Sequence, residues 1–379
     1  MSYKKAWRSR KATISSLFGT DDASYRSLPK FMYMWSTNNP GSSFDLVTTP
    51  RSHRFKYFFM SFSAWKRGWK YLRPVVIIDG TFLKSYYKGT LFSACDMNAN
   101  EQVYPLAFGA GDSESTESWV YFLTRLKEAI GERSHQVIVS DRNAGIINSV
   151  KKVFTNSDHG YCMFHLLKNV KNQIKGLSKE VNWTFYAAAK AYTYAEFEKY
   201  MLMIDEEDPR VRAYLQNDVG YEKWARSFYT EKRYSIMTSN NAESLNAMNV
   251  KPREFPIAKL FDFLRERMSK WFYERREKAL GTLTILCVDA NKKLEEYHAK
   301  STGMGVRDKH SILNFFTICC LICPVFRNNV VCTEHDLVTT FFGHENLLSK
   351  YFPKIIIIIT CKQNGIGYGT SVSIIGVRV

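Results

Sequence analysis

Asp79 and Asp141 each close a short apolar run: Val75-Val76-Ile77-Ile78-Asp79-Gly80-Thr81 and Val137-Ile138-Val139-Ser140-Asp141-Arg142. Runs of that length and β-branched content read as buried strands. A buried strand holds an attached side chain rigidly, so two such carboxylates can be fixed at one point in space. Carboxylate oxygens suit Mg²⁺, a hard cation. Two such ions roughly 3.5–4 Å apart stabilise the attacking and leaving oxygens of a phosphoryl transfer. The competing reading is a pair of solvent-exposed turn aspartates, because Asp-Gly, as at Asp79-Gly80, is a common turn dipeptide.

A third carboxylate would complete a strand-transfer site. The candidate is Glu243, in Thr238-Ser239-Asn240-Asn241-Ala242-Glu243-Ser244-Leu245-Asn246. A structural role competes there, with Asn240 as helix N-cap and Glu243 as its capping-box partner. Asp96, Asp112, Glu114, Glu117 and Glu254 are rivals that spacing does not exclude. Cys162-Met163-Phe164-His165 sets a thiol and an imidazole three apart. Structural zinc needs about four such ligands, so Cys162 and His165 are either part of a zinc site or structural support, with Cys162 buried on a strand. Cys320, Cys323, Cys332 and His335 have a knuckle-like spacing in apolar, irregular surroundings. No signature of a nucleophilic Cys or Ser enzyme is present.

The elements that must position these residues follow from pattern. Three β runs, 75–83, 90–97 and 102–108, succeed one another, with Asn98-Ala99-Asn100-Glu101 as a hairpin turn. Trp119, Phe122, Leu123, Leu126 and Ile130 recur at helical spacing over 115–130, and Gly131 suits the left-handed cap beyond. A strand over 136–140, a helix over 144–154, a strand at Tyr161-Cys162-Met163-Phe164 and a basic helix over 165–176 complete the series. A hairpin start followed by βα units predicts an α/β fold, a mixed sheet with helices on both faces. Residues 177–235 read as an α-helical insertion, and 240–280 as helical again through Leu260, Phe263, Leu264, Met268 and Trp271.

Residues 1–70 read as a basic, aromatic, irregular region flanking the core, with Arg54–Phe62 a half-buried strand or helix edge rather than a base-stacking surface. Residues 71–176 carry the first two acids, 177–235 the insertion and 236–300 the return with the third acid. Residues 301–379 form an atypical apolar tail, not a native domain, and Ile355–Ile359 is a low-charge β-prone run of the aggregating kind.

The 379 residues allow about two domains of ~100–200 residues. Lys and Arg number 53 against 36 Asp and Glu, a net charge of +17, which draws polyanions and nucleic acid first among them. Lys168, Lys171 and Lys175, and more loosely Arg265, Lys270, Arg275, Arg276 and Lys278, recur on helical faces that could meet phosphates. The basic start lacks a following apolar run, and no stretch approaches the ~18 apolar residues of a membrane helix. Of the eight cysteines three are scattered and five, from Cys319 on, lie near the end of the chain; they form no disulfide framework, so a reducing compartment is expected.

Taken in order, several segments resemble the transposase domain of Mutator-like elements, the plant MULE/MuDR group, over residues about 22–285. They are Arg73–Lys84, Pro105–Phe108, Glu117–Leu123, Ser140-Asp141-Arg142, Gly145-Ile146, Cys162–Asn169 and Thr238–Asn246. The resemblance implies an RNase H-like fold with an α-helical insertion before the last acidic residue. It implies a DDE triad of Asp79, Asp141 and Glu243 holding Mg²⁺ or Mn²⁺, and it maps the family's cysteine–histidine pair onto Cys162 and His165. Double-stranded DNA at element ends and target, self-association, a nuclear location and no small-molecule cofactor follow from it as expectations. A domesticated DNA-binding regulator without cleavage activity is the alternative within the family; a nuclease acting on RNA–DNA hybrids shares the chemistry. The chain departs from the pattern in having about twenty residues ahead of the match and no CxC motif behind it. It therefore reads as a truncated or inactive copy.

Overall fold

The apolar run Val75–Ile78 opens strand β3, Val75–Phe82. Val75 and Ile77 enter one hydrophobic core, and Val76 and Ile78 enter another on the opposite face. A strand buried on both faces shows an unbroken apolar run instead of alternation, which makes this element legible in the sequence. A computed structural model describes residues 2–228, 236–239, 242, 244–246, 249–284, 286–302, 356–363 and 370–378.

β3 is one of seven strands in a mixed sheet, with β1 (Ser43–Thr48), β2 (Phe55–Ser61), β4 (Thr90–Met97), β5 (Val103–Gly111), β6 (Val137–Ser140) and β7 (Asp158–Tyr161). Their order is β1-β2-β5-β4-β3-β6-β7. β1 to β5 pair antiparallel, while β6 runs parallel to β3 and β7 parallel to β6. The expected hairpin turn is present: Asn98 Oδ1 accepts the N–H groups of Asn100 and Gln102.

Helices cover both faces, as expected. Helix α4 (Thr116–Ile130) and helix α5 (Ala144–Val153) bring Trp119, Phe122, Leu123 and Ile146 against Val76 and Ile78. Ser115 caps α4 by accepting the N–H of Ser118, and Gly131, at φ 72°, ends it. On the other face, helix α2 (Asp21–Asn38) and the long helix α10 (Ile257–Leu280) bring Leu28, Trp35, Phe261 and Leu264 against Val75 and Ile77. The insertion is helical among its described residues, with α7 (Glu180–Lys190), α8 (Tyr194–Glu207) and α9 (Pro209–Tyr214); together with α6 (Met163–Gln173), which precedes it, these helices enclose a third core. At its centre the Phe185 and Trp224 rings stack 5.0 Å apart.

Two expectations are corrected. Residues 1–70 are not irregular: helix α1 (Tyr3–Phe18), α2, β1, β2 and helix α3 (Ser63–Trp69) fill most of them. Tyr25, Leu28, Met32 and Trp35 of α2 do recur at helical spacing and pack on the core, but Pro29 in their midst argues against a helix when only the sequence is read. Its start is nonetheless well capped, since Thr20 accepts the N–H of Ala23 and Asp21 and Asp22 favour the first turn. Arg54–Phe62, by contrast, contains the expected strand β2, buried from Tyr57 onward. The second correction concerns Cys162, which is buried but not on a strand. β7 ends at Tyr161, and Cys162 is the N-cap residue of α6.

Met1–Ala290 and Asn291–Val379 are separate compact units. Helix α11, Val288–Thr302, runs across the division in the chain. In the second unit β8 (Ile356–Gln363) pairs antiparallel with β9 (Thr370–Arg378), so the isoleucine run does take the β conformation its composition favours. Cys320, Cys323, Cys332 and His335 lie outside the described residues. No helix among the described residues is long and apolar enough to cross a membrane.

Candidate active site

The parallel pairing of β3 with β6 sets Val75 opposite Val137 and Ile77 opposite Val139, an offset of 62 (137 − 75). Asp79 and Asp141 are also 62 apart (141 − 79). The register therefore brings Asp79 and Asp141 to the same end of two neighbouring strands, which lie ~4.8 Å apart. Asp79, two residues past Ile77 on β3, shares the face of Val75 and Ile77, which α10 covers; Asp141 is the first residue beyond β6.

Each aspartate is held. Asn246 Nδ2 donates to Asp79 Oδ2 at 2.6 Å, across 167 positions of sequence. The side-chain oxygen of Asn246, Oδ1, is buried and has no hydrogen-bond partner among the described residues. Asp141 Oδ1 accepts the N–H of Asn143 at 3.1 Å, in the turn where Asn143 itself caps α5 by accepting from Gly145 at 2.7 Å. Arg142, beside Asp141, donates to the Tyr214 hydroxyl and to the Asp218 carbonyl, so the insertion braces this end of the sheet.

Glu114, a rival acid in the sequence, lies near Asp141 but on the other face of β3 from Asp79: a Cβ added to Gly80 would lie 3.0 Å from Glu114 Oε1 and 3.1 Å from Trp119, on the side that α4 covers. Burial raises its affinity for a proton above the ordinary glutamate value, and the charge of Asp141 raises it further. Spacing could not single out Glu114, since it lies between β5 and α4 with no strand of its own. The other rivals sit elsewhere. Glu117 pairs with Lys56 at 3.8 Å and Glu254 with Arg10 at 2.6 Å, Asp112 is exposed, and Asp96 is buried within the sheet. Glu243 lies outside the described residues, three positions before Asn246. Among the described residues no three His, Cys, Asp or Glu side chains converge closely enough to hold a metal ion.

Cys162 and His165 form a clasp. Cys162 Sγ accepts the N–H of Ser239 at 3.2 Å, and His165 Nδ1 lies 3.3 Å from Ser239 Oγ. Met163 donates its N–H to the Met237 carbonyl at 2.9 Å. These bonds hold residues 236–239 against the start of α6, just ahead of the helical residues Ser244–Asn246 that reach Asp79. Burial pushes the Cys162 thiol up, but hydrogen bonds involving His165 and Ser239 outweigh it and leave the thiol below its ordinary value. Replacing Cys162 with Ala leaves the Ser239 N–H buried and unpaired, which costs roughly 1–3 kcal/mol. Chemical denaturation of parent and variant measures that loss; equal midpoints would show the clasp to be idle.

The basic faces divide. Arg265 pairs with Asp262 and Glu266, Lys270 with Glu274, and Arg275 donates to the Val103 carbonyl at 2.6 Å. Lys168, Lys171 and Lys175 are exposed on and beyond α6 and enter no ion pair among the described residues.

Residues 75–169 match the profile of the MULE transposase domain. The chain is 22% identical over 206 residues to Protein FAR1-RELATED SEQUENCE 6 of Arabidopsis thaliana, covering 54% of this chain and 26% of that protein. It is 24% identical over 251 residues to Protein FAR-RED IMPAIRED RESPONSE 1 of the same plant, covering 63% and 28%. Over 65 residues it is 32% identical to the transposase for insertion sequence element IS256 in transposon Tn4001 of Staphylococcus aureus, covering 17% and 16%. The chain spans less than a third of the length of each of these relatives.

Proposed function

With residues 75–169 a MULE transposase domain, we propose that this chain is a DDE-type DNA transposase that cuts and joins phosphodiester bonds with Mg²⁺ or Mn²⁺. The observation that carries the reading is the shared offset of 62, by which the β3–β6 register brings Asp79 and Asp141 to one sheet end. The strand order β5-β4-β3-β6-β7, an antiparallel meander followed by two parallel strands, supports an RNase H-like core. The helices between β7 and the return at residue 236 correspond to the insertion such a transposase needs before its last acid.

The donors fit a hard divalent cation. Asp79 and Asp141 are carboxylates, and the orphaned, buried Asn246 Oδ1 beside Asp79 adds a further oxygen. Asp79, Asp141 and Glu243 would hold the metals. When bound, these activate a water and neutralise charge on the leaving 3′ oxygen. The rest falls to the chain's own groups. Asn246 fixes the direction of the Asp79 carboxylate. The α5 cap turn fixes that of Asp141, and Arg142, tied to Tyr214, keeps the turn from shifting. Glu114 adds negative charge that deepens the attraction for cations. Cys162 and His165 serve as structural support for the returning segment, and zinc is not required for that role. The DNA would be double-stranded at element end and target, bound by a self-associated protein in the nucleus.

The test is nicking of supercoiled plasmid by the full chain with Mg²⁺, with Mn²⁺ and with chelator. Nicked circles that depend on metal are expected. DNA binding without nicking in either metal would overturn the transposase reading in favour of the second one, a DNA-binding regulator that does not cleave. One observation favours that second reading: the long matches are to plant proteins whose names mention no transposase, whereas the named transposase matches over 65 residues.

A further inference from the structure

We propose that the cleft between α1 and the β3–β4 loop holds an unpaired DNA strand that runs off the Asp79–Asp141 site; this rests on the transposase reading above. The cleft has a volume of about 1010 Å³, at the upper end of the ~300–1,000 Å³ usual for ligand sites. α1 contributes Trp7, Arg10 and Lys11, and the loop contributes Lys84, Tyr86 and Lys88. Two aromatic rings interleaved with four cations are what a single strand requires: ring faces for the bases and positive charge for the backbone.

Both rings are presented, not buried. Trp7 is 52% and Tyr86 63% exposed. Lys11 Nζ lies 4.0 Å from the centre of the Tyr86 ring and 5.3 Å from that of Trp7, so one ammonium holds both rings in place from the same side. The loop beneath is rigid. Its ends meet where the Leu83 N–H donates to the Gly89 carbonyl at 2.8 Å, and Lys84 donates its N–H to the Arg253 carbonyl at 2.8 Å. The Tyr87 hydroxyl is hydrogen-bonded to Asp22. Two of the acids at the rim are engaged, Glu254 by Arg10 and Asp22 by Tyr87, while burial, opposed by the charge of Lys11, raises the proton affinity of Asp21. Lys84 and Lys88 form no ion pair among the described residues, which leaves their charge for an incoming polyanion.

Position selects DNA over another acidic partner. The loop leaves β3 at Phe82, three residues past Asp79. At ~3.3 Å per residue that is about 10 Å, a distance spanned by a few nucleotides at ~3.4 Å of rise each. A duplex keeps its base faces stacked, so only an unpaired strand can use Trp7 and Tyr86. The cleft then takes the single strand at a nicked or frayed end, beside the residues that cut it.

The test compares a blunt duplex with the same duplex carrying a four-nucleotide overhang, by fluorescence anisotropy on the full chain. The parent should bind the overhang about tenfold more tightly than the blunt end. Replacing Trp7 and Tyr86 together with Ala should abolish that preference and leave blunt-duplex binding within twofold, since stacking on one ring is worth about tenfold. Both rings are exposed, and circular dichroism checks that the variant stays folded. Equal binding of the two probes by the parent would overturn the proposal, as would a preference that survives in the variant. Competition by poly-glutamate as strong as that by a four-nucleotide oligomer would overturn it too, because charge alone would then suffice. Metal-dependent nicking without an overhang preference would refute the cleft alone. An overhang preference without nicking would refute the catalytic reading and leave the cleft standing.

Discussion

Changing Asp141 to Asn leaves DNA binding intact and lowers metal-dependent nicking by about 10³-fold or more. The substitution is close to isosteric, and the Asn side-chain oxygen can still accept the Asn143 N–H that Asp141 Oδ1 accepts at 3.1 Å. The turn into α5 therefore keeps its geometry. What disappears is a negative charge one strand away from Asp79, at the point where the β3–β6 register brings two carboxylates together. A metal held there contributes several kcal/mol to the transition state, and ~4 kcal/mol corresponds to about three decades of rate. Asp79→Asn should behave alike, with Asn246 still able to donate to the new side-chain oxygen. Plasmid nicking over a Mg²⁺ and Mn²⁺ titration reads the loss, and filter binding of the same plasmid reads the control. Nicking by either variant within tenfold of the parent would exclude these aspartates from the chemistry.

Changing Asp96 to Asn should stabilise the protein at neutral pH. Asp96 is fully buried on β4, and neither of its carboxyl oxygens has a side-chain hydrogen-bond partner among the described residues. Burial pushes its carboxyl up to about 8, offset only in part by the backbone N–H of Met97 and the charges of Arg73 and Arg133. In the unfolded chain the group titrates near ~3.9. Between those values the folded state holds the extra proton, so stability falls as pH rises, by up to ~1.36 kcal/mol per pH unit. Below about pH 4 both states are protonated and nothing is lost; above about pH 8 the loss is complete. Asn mimics the neutral acid and does not titrate. Its advantage over Asp should be about 1 kcal/mol at pH 4.5 and about 4 kcal/mol at pH 7. Denaturant unfolding of both proteins at the two pH values measures it. An advantage equal at both, or a destabilised variant, would show that Asp96 is solvated or paired in solution.

The four acids in question differ in how far sequence reaches them. Asp79 and Asp141 stand out because each ends an apolar run, and burial on both faces writes itself into consecutive residues of one strand. Helix α4 is legible for the same reason, with its Ser115 cap, its apolar spacing and Gly131 at its end. Asp96 and Glu114 carry no such mark. One is buried within β4 and the other lies between elements, and only the folded chain reveals that the first lacks a side-chain partner and the second feels the charge of Asp141.

Local order in the chain determines which segments are strands and helices, because backbone preference and hydrophobic period act over a few residues. That much was set by sequence alone, including the two aspartates and the helical character of 177–228 among the described residues. The tertiary structure decided what is remote: helix α2, running on through Pro29, the move of Cys162 from strand to helix cap, and the bond from Asn246 to Asp79 across 167 positions. It also decided that an interval of 62 residues is a register and not a coincidence. Parallel strands have no hairpin to set their alignment, so the packing of α4 and α5 against the sheet must do it, and that packing exists only once the chain has closed on itself.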